Sequence, residues 1–145
     1  MREFKLNIDE QAVSTYENTV YNCLGLGSCI GLFLKDRTTG ISGGAHILLP
    51  QSIPHVLNSL LLQFKNKGSN LLNLRAKVAG GANVIATGYE VGLQNTNAVL
   101  EHLVQQKIFI AAKDLGGSLS RSAQFHAGTG EMTVRFSQTK ELKVY

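Results

Sequence analysis

The sequence predicts a layered α+β domain with helices on one side of stacked β-sheets. Short apolar runs bounded by turn residues outnumber segments of helical periodicity by more than two to one. The two helical segments each place apolar residues along one face only. The chain has 145 residues, 43% hydrophobic and 17% charged, with no repeat or low-complexity linker. Residues 1–145 therefore form a single domain with its own core.

A β-hairpin is predicted first. Residues 30–35 form a short apolar run, 36–40 have turn composition, and the chain from 41 onward is apolar and glycine-rich. With the turn centred between Arg37 and Thr38, Cys29 falls directly opposite His46. Directly opposed residues project from one face with Cα atoms about 4.5–5.5 Å apart. A register shift of one residue would separate the two side chains onto opposite faces.

This pairing makes Cys29 and His46 a candidate nucleophile and general base, since a thiol is activated by a base within hydrogen-bonding reach. Gly43 and Gly44 precede the histidine and leave one wall without side chains, as where a substrate or another backbone approaches closely. The alternative is structural. A cysteine often serves as a small buried hydrophobe, and a histidine on a half-apolar strand often has a structural role.

The first helix is predicted after the hairpin, with Ser52 and Pro54 suited to its start and Gly68 to its end. Its apolar residues recur at helical spacing: Val56, Leu57, Leu60, Leu61 and Phe64. A strand follows, with alternating Leu72, Leu74, Ala76 and Val78. The glycine pair in residues 80–83 then predicts a tight loop rather than a phosphate cradle, because no P-loop lysine follows in register.

The second helix is predicted from Val99, Leu100, Leu103 and Val104, with Asn95 as its cap. Residues 108–112 then resemble a buried strand. A terminal hairpin around residues 128–130 is indicated by Phe125, Met132, Val134 and Phe136.

Charge and hydropathy narrow the classes of function. The formal net charge is +4 and the pI is about 9.2, but the basic residues are spread along the chain and do not alternate with aromatics as in a nucleic-acid surface. The apolar runs are too short to cross a bilayer, and residues 1–5 lack the apolar core of a signal peptide. We expect a cytoplasmic protein.

The two cysteines leave further hypotheses open. A reducing cytosol would keep Cys23 and Cys29 as thiols, yet a reversible disulfide between them would silence the nucleophile. A metal site of both cysteines with His46 is disfavoured because zinc wants a fourth ligand. The other histidines, His55, His102 and His126, have no ligand spacing. Residues 27–31 resemble a nucleophile elbow, but that elbow belongs to a larger parallel-sheet fold.

Several motifs together resemble one family. Leu26–Cys29 reads Leu-Gly-Ser-Cys, and Gly44–Pro50 reads Gly-Ala-His-Ile-Leu-Leu-Pro. Three later segments agree with the same family in the same order: residues 76–83, residues 95–103, and residues 114–117 with Arg121-Ser122. The chain thus resembles the CheD family of bacterial and archaeal chemotaxis proteins over most of its length.

The resemblance implies a three-layer α/β/β sandwich and a chemoreceptor glutamine deamidase, which converts glutamine side chains of methyl-accepting chemoreceptors to glutamate without a cofactor or metal. Cys29 would be the nucleophile and His46 the general base, with Gly27 and Ser28 placing backbone amides for an oxyanion. The family's third catalytic residue is a threonine six residues before the cysteine, where this chain has Cys23. A thiol is a weak hydrogen-bonding partner. The orienting role then falls to a backbone carbonyl or another side chain, or activity is reduced.

Two other functions stay open. The first is a CheD-like binding module that engages the CheC phosphatase, with weak or absent catalysis, and Cys23 in place of threonine favours it. The second is a cysteine hydrolase acting on another amide or ester, since the sequence does not define the substrate slot.

Overall fold

The computed structural model describes residues 1–85 and 90–145 and confirms the α+β prediction. One sheet contains β1 (Arg2–Lys5), β3 (Thr19–Leu26), β8 (Arg121–His126), β9 (Glu131–Phe136) and β10 (Leu142–Val144), in the order β1-β3-β8-β9-β10. The other contains β2 (Gln11–Ser14), β4 (Ile30–Asp36), β5 (Ser42–Ile47), β6 (Leu74–Gly80) and β7 (Phe109–Leu115), in the order β2-β5-β4-β6-β7. The helices are α1 (Ile53–Asn66) and α2 (Val91–Gln105).

The side chains of β4 show how the layers stack. Ile30, Leu32 and Leu34 belong to the core that the helices share with the second sheet. Phe33 points the other way, into the core between the two sheets, where its ring stacks on Phe125 with centroids 5.4 Å apart. Because successive residues of a strand face opposite sides, β4 is buried on both faces. The second sheet is the middle layer, and the predicted α/β/β sandwich is confirmed.

Helix α1 follows its predicted pattern. It begins at Ile53, directly after Ser52, and has Pro54 in its first turn, where a proline costs no hydrogen bond. Gly68 follows its end with a φ of +98°, a conformation that favours glycine. The predicted apolar residues are all buried against the second sheet.

Three local predictions were wrong. Asn95 does not cap α2, because that helix starts at Val91 and encloses Asn95 as a fully buried residue. β7 is an edge strand and is not buried, with Phe109 55% exposed. Leu72 lies in a short 3₁₀ turn, Leu71–Asn73, and is 67% exposed, so the strand begins at Leu74. In each case the apolar pattern located the element, but tertiary packing decided where the element begins or how deeply it is buried.

The predicted β4–β5 hairpin is present, but its register differs from the prediction. His46 lies opposite Gly31, so Cys29 is not directly opposed to it. The turn is centred one residue later than predicted because the Asp36 carboxylate accepts the backbone N–H groups of Thr38 and Thr39. Moving the turn centre by one residue shifts the pairing by two, which keeps every side chain on its original face.

The terminal hairpin of β8 and β9 is confirmed, with Phe125 opposite Met132. Within the described residues, no helix combines the length and the apolar character needed to span a bilayer.

Candidate active site

Cys29 and His46 lie on the same side of the middle sheet. Ala45 and Ile47 face the helices, so His46 between them faces the other sheet. Cys29 directly precedes β4 and packs in the core between the sheets. Continuing the register by one residue makes the two residues diagonal neighbours, with Cα atoms about 7–8 Å apart. That spacing allows a thiol and an imidazole to approach each other.

The imidazole of His46 is held by a backbone carbonyl. Its Nδ1 lies 2.9 Å from the Leu6 oxygen. A carbonyl can only accept, so this contact assigns the proton to Nδ1 and leaves the lone pair on Nε2. His46 is 4% exposed, and Nε2 has no hydrogen-bond partner among the described residues. The ring therefore presents an unused basic nitrogen in a buried position.

The segment between β1 and β2 fixes the backbone of the same histidine. The Asp9 N–H donates to the His46 carbonyl at 2.7 Å, and the His46 N–H donates to the Glu10 carbonyl at 3.1 Å. Asp9 adopts a φ of 64°, which a short polar side chain tolerates better than a bulky one. With Leu6, this segment contacts His46 through three hydrogen bonds.

Cys29 is 6% exposed. Burial raises the pKa of the thiol, and the negative charge of Asp9 raises it further. The backbone N–H of Cys29 itself acts in the opposite direction without cancelling the rise. Asp9 thus bears on both members of the pair, by hydrogen bond on His46 and by charge on Cys29.

Cys23 is fully buried beneath the pair and makes a weak contact away from the histidine. Its thiol donates to the Ala45 carbonyl at 3.8 Å. A Cβ added to Gly31, opposite His46, would lie 3.5 Å from the Cys23 sulfur, so the missing side chain makes room for it. Burial raises the pKa of Cys23 to about 12, with a further contribution from Cys29, and both cysteines are free thiols.

The predicted glycine loop after β6 supports the backbone of residues 27–29. The Gly81 N–H donates to the Cys29 carbonyl at 2.9 Å, and the Ala82 N–H donates to the Gly27 carbonyl at 2.8 Å. A Cβ on Gly80 would lie 2.1 Å from the Cys29 oxygen, so only glycine allows this approach. The glycine pair serves backbone packing here.

Asn95 joins the two halves of the site. Its Nδ2 donates to the Ser28 carbonyl at 2.8 Å and to the Leu48 carbonyl at 3.0 Å, just before Cys29 and just after β5. The sequence held a signal for this role. Asn95 lies four residues before Val99, on the apolar stripe of α2, and a buried amide there requires polar partners.

The predicted oxyanion donors differ in their availability. The Gly27 N–H donates to the Gly25 carbonyl at 3.1 Å and is engaged in that tight turn.

Thr19, near Cys23 in sequence, bonds to Ser14 and to the Tyr16 carbonyl, outside the site.

Two cavities lie beside residues 27–29. A cavity of about 410 Å³ is lined by His46 together with Leu24, Gly25 and the 5–8 segment. A cavity of about 160 Å³ lies at Ser28 on the other side. Exposed apolar side chains line these cavities: Ile8, Leu24, Val84 and Ile85. We call this set the apolar rim.

The remaining histidines make contacts elsewhere. His102 bonds to Asn58 on the helical layer, and His126 bonds to Gln124 on β8. Across residues 1–85 and 90–145, no group of three or more histidine, cysteine or acidic side chains is arranged to hold a metal ion.

Fold and site together define a class of three-layer α+β proteins with a buried cysteine and histidine between two sheets. The family model described as CheD chemotactic sensory transduction matches residues 53–136, more than half of the chain but without Cys29 or His46. The chain is 31% identical over 141 residues to the Chemoreceptor glutamine deamidase CheD of Thermotoga maritima, covering 90% of this chain and 89% of that one. This chain belongs to the CheD family.

Other comparisons agree with that assignment. The Probable chemoreceptor glutamine deamidase CheD of Clostridium tetani is 30% identical, covering 93% of this chain and 92% of the relative. A similar protein of Methanosarcina mazei is 33% identical, covering 87% of this chain and 62% of its own length. A crystal structure of a Neisseria meningitidis DUF152 protein has a TM-score of 0.51 at 9% identity, covering 81% of this chain and 63% of that one. It supports the fold alone.

Proposed function

We propose that this protein is a chemoreceptor glutamine deamidase, which hydrolyses glutamine side chains of methyl-accepting chemoreceptors to glutamate and releases ammonia. The names of its relatives support this activity. The observation that supports it most within the chain is the state of His46. Its Nδ1 is committed to the Leu6 carbonyl, while Nε2 is buried and unpartnered on the face that holds Cys29.

The first half of the reaction forms a thioester. Nε2 of His46 takes the proton of the Cys29 thiol as general base, which the thiol needs because burial and the Asp9 charge raise its pKa. The sulfur attacks the side-chain amide carbon and the carbonyl electrons move onto oxygen. The carbon–nitrogen bond then breaks, and His46 returns its proton to the departing ammonia.

The second half regenerates the enzyme. Nε2 of His46 takes a proton from water, whose oxygen attacks the thioester carbon. The carbon–sulfur bond breaks, glutamate leaves, and the proton returns to Cys29. Each cycle consumes one water and needs no change in oxidation state.

We assign the oxyanion contacts to the backbone N–H groups of Ser28 and Cys29. The Gly27 amide is engaged with Gly25, which makes it the poorer donor. The Ala82 N–H contact to the Gly27 carbonyl holds the peptide unit that carries the Ser28 N–H, and the Asn95 contact to the Ser28 carbonyl holds the unit that carries the Cys29 N–H. Preorganised donors of this kind stabilise the charge that develops on the oxygen.

The substrate surface is the apolar rim around the two cavities. Exposed apolar side chains grouped around a buried site are typical of a surface that binds a protein. A receptor helix lying on this rim could insert a glutamine toward Cys29. The substrate would be the cytoplasmic part of the receptor, and we therefore place the reaction in the cytoplasm.

The test is mass spectrometry of a chemoreceptor cytoplasmic fragment incubated with the wild-type protein, Cys29→Ala or Cys29→Ser. We expect a 1 Da gain at specific glutamines with the wild type alone. The glutamine-to-alanine variant of each modified site in the receptor serves as the substrate control. Conversion by Cys29→Ala would remove Cys29 as nucleophile, and no conversion by the wild type across several receptors would contradict the deamidase.

A second candidate is a binding module that regulates a CheC phosphatase, and Cys23 in place of the family's threonine favours it. This function requires binding without turnover. Binding of CheC together with the absence of glutamine conversion in the experiment above would support it over the deamidase.

A further inference from the structure

Four basic residues gather at the far end of β4 from Cys29. Lys35, Arg37, Arg75 and Lys77 line a cavity of about 190 Å³ with Phe125 and Gly130. We call these four residues the basic end. Lys35 is six residues beyond Cys29, which places it about 20 Å away along an extended strand. The cavity is therefore separate from the candidate active site.

The sheet register forces these charges together. Lys35 lies directly opposite Arg75, and Lys77 lies opposite Phe33, two residues before Lys35. All three side chains therefore project from the face that carries Phe33, toward the space between the sheets. Like charges directly opposite each other on a sheet destabilise the fold.

In the described part of the chain, no side-chain carboxylate lies within ion-pair distance of this group. The ion pairs of the described residues are Arg121 with Asp114 and Lys143 with Glu141, and neither includes the basic end. Asp36 is adjacent in sequence but accepts N–H groups of its own turn. Lys77 donates to the backbone oxygens of Gly130 and Tyr145, which leaves one of its three hydrogens for another acceptor.

The surroundings also disfavour concentrated positive charge. Lys35, Arg75 and Lys77 are half-buried, where salt screens charges less than at an open surface. Burial lowers the pKa of Lys77, the Glu131 charge opposes this, and the Lys35 charge lowers it further. Nη1 of Arg75 already donates to the Leu72 and Leu74 carbonyls, and its guanidinium lies over the Phe109 ring. An anionic ligand would relieve the repulsion and use the donors that these contacts leave.

We propose that the basic end binds a small multivalent oxyanion of the phosphate class, with Lys35 and Lys77 contacting its oxygens and the guanidinium groups of Arg37 and Arg75 binding at its edge. Guanidinium groups match phosphate oxygens in a two-point geometry, and lysine supplies a point charge. The ligand is either a free polyphosphate or the phosphate chain of a nucleotide. This binding is independent of the proposed deamidation.

The test is isothermal titration calorimetry at low ionic strength with inorganic phosphate, pyrophosphate and ADP. We expect pyrophosphate to bind more tightly than phosphate, and weaker binding as salt is added. Equal affinity for ADP and pyrophosphate would indicate a free polyphosphate site, whereas tighter ADP binding would indicate a nucleotide. Absence of binding by all three probes would overturn the proposal.

Matched variants locate the site. Lys35→Gln and Arg75→Gln should each lower pyrophosphate affinity at least about tenfold, as expected for a lost charge-assisted contact. Lys65→Gln removes the same charge from an exposed position on helix α1 and should leave the pyrophosphate affinity nearly unchanged. Lys35→Gln should also raise the melting temperature of the free protein, because it removes the repulsion. Equal losses in Lys35→Gln and Lys65→Gln would show nonspecific attraction and reject the site.

Discussion

Strand β4 joins two ends of the space between the sheets, and their polar groups are satisfied in different ways. At the thiol end, which we define as Cys29 and His46 with their backbone contacts, neutral carbonyl and N–H groups hold the side chains. At the basic end, positively charged side chains face one another, and no side-chain carboxylate of residues 1–85 and 90–145 lies within ion-pair distance of them. Hydrogen bonds within the protein satisfy the polar groups of the thiol end, whereas the positive charges of the basic end would be satisfied by an anionic ligand of the kind proposed above.

The comparison bears on how a charge would act at the thiol end. A charge close to the pair would shift the pKa values of the thiol and the imidazole in the same direction, whereas proton transfer from thiol to imidazole needs the thiol pKa lowered and the imidazole pKa raised. A backbone carbonyl orients His46 without adding a full charge. The basic end lies most of the length of strand β4 away from this chemistry.

The largest expected effect comes from removing the base at the thiol end. His46→Gln should lower the deamidation rate by about 10²–10⁴-fold, the range for loss of a general base, with little loss of stability. Single-turnover assays on a receptor fragment measure this. His102→Gln is the matched control, since that histidine contacts only Asn58 on the helical layer in the described structure. A His46→Gln rate within threefold of wild type would exclude the proposed base.

Removing a cation that has an ion-pair partner should change the free energy of unfolding in the opposite direction from removing one that has none. Arg121 is buried with its guanidinium 2.6 Å from the Asp114 carboxylate, and Arg121→Met would leave that carboxylate buried without its partner. We expect a loss of about 3–5 kcal/mol in the free energy of unfolding. Urea denaturation measures this, with Lys35→Gln alongside as the unpaired cation. A comparable loss in Lys35→Gln would contradict the distinction between the two.

Asn95→Ala tests whether side-chain hydrogen bonds hold the thiol end together. The variant leaves the Ser28 and Leu48 carbonyls without their donor, at a cost of about 1–3 kcal/mol. We expect kcat to fall roughly tenfold through misplaced reacting groups, with KM nearly constant because the apolar rim is intact. Asn97→Ala, an exposed position on the same helix, is the control. Loss of stability with unchanged kcat would limit Asn95 to a structural role.

The sequence predicted the layers of the fold and the shared face of Cys29 and His46 better than it predicted the contacts that these side chains make. Periodicity located α1 and both hairpins, because alternation and helical spacing report which face is buried. Periodicity misplaced the β4–β5 register, because the hydrogen bonds of the Asp36 carboxylate set the position of the turn. The error was two residues, so Cys29 and His46 still lie on the predicted face. The Leu6 carbonyl left no trace in the sequence, because a backbone group carries no side-chain signal.

A smaller effect concerns the charge that Asp9 adds to the thiol end. Asp9 raises the pKa of Cys29 together with burial, so Asp9→Asn should lower that pKa and increase the thiolate fraction at neutral pH. We expect iodoacetamide to alkylate Cys29 about two- to threefold faster near pH 7.5, as for an exposed charge screened by solvent. The inflection of rate against pH should move to lower pH. Glu3→Gln, an exposed acid on β1, is the control, and an unchanged inflection in Asp9→Asn would exclude the charge effect.

The smallest expected effect is at Cys23. In Cys23→Thr the hydroxyl can donate to the Ala45 carbonyl that the thiol now contacts, while His46 keeps the hydrogen bond between its Nδ1 and the Leu6 carbonyl. We therefore expect kcat to change by less than about twofold, since the tautomer of His46 is set elsewhere. Cys23→Ser separates the effect of the hydroxyl from that of the added methyl group. A large gain in turnover in both variants would show that the Leu6 carbonyl orients His46 incompletely and that the threonine of other family members supplies what this chain lacks.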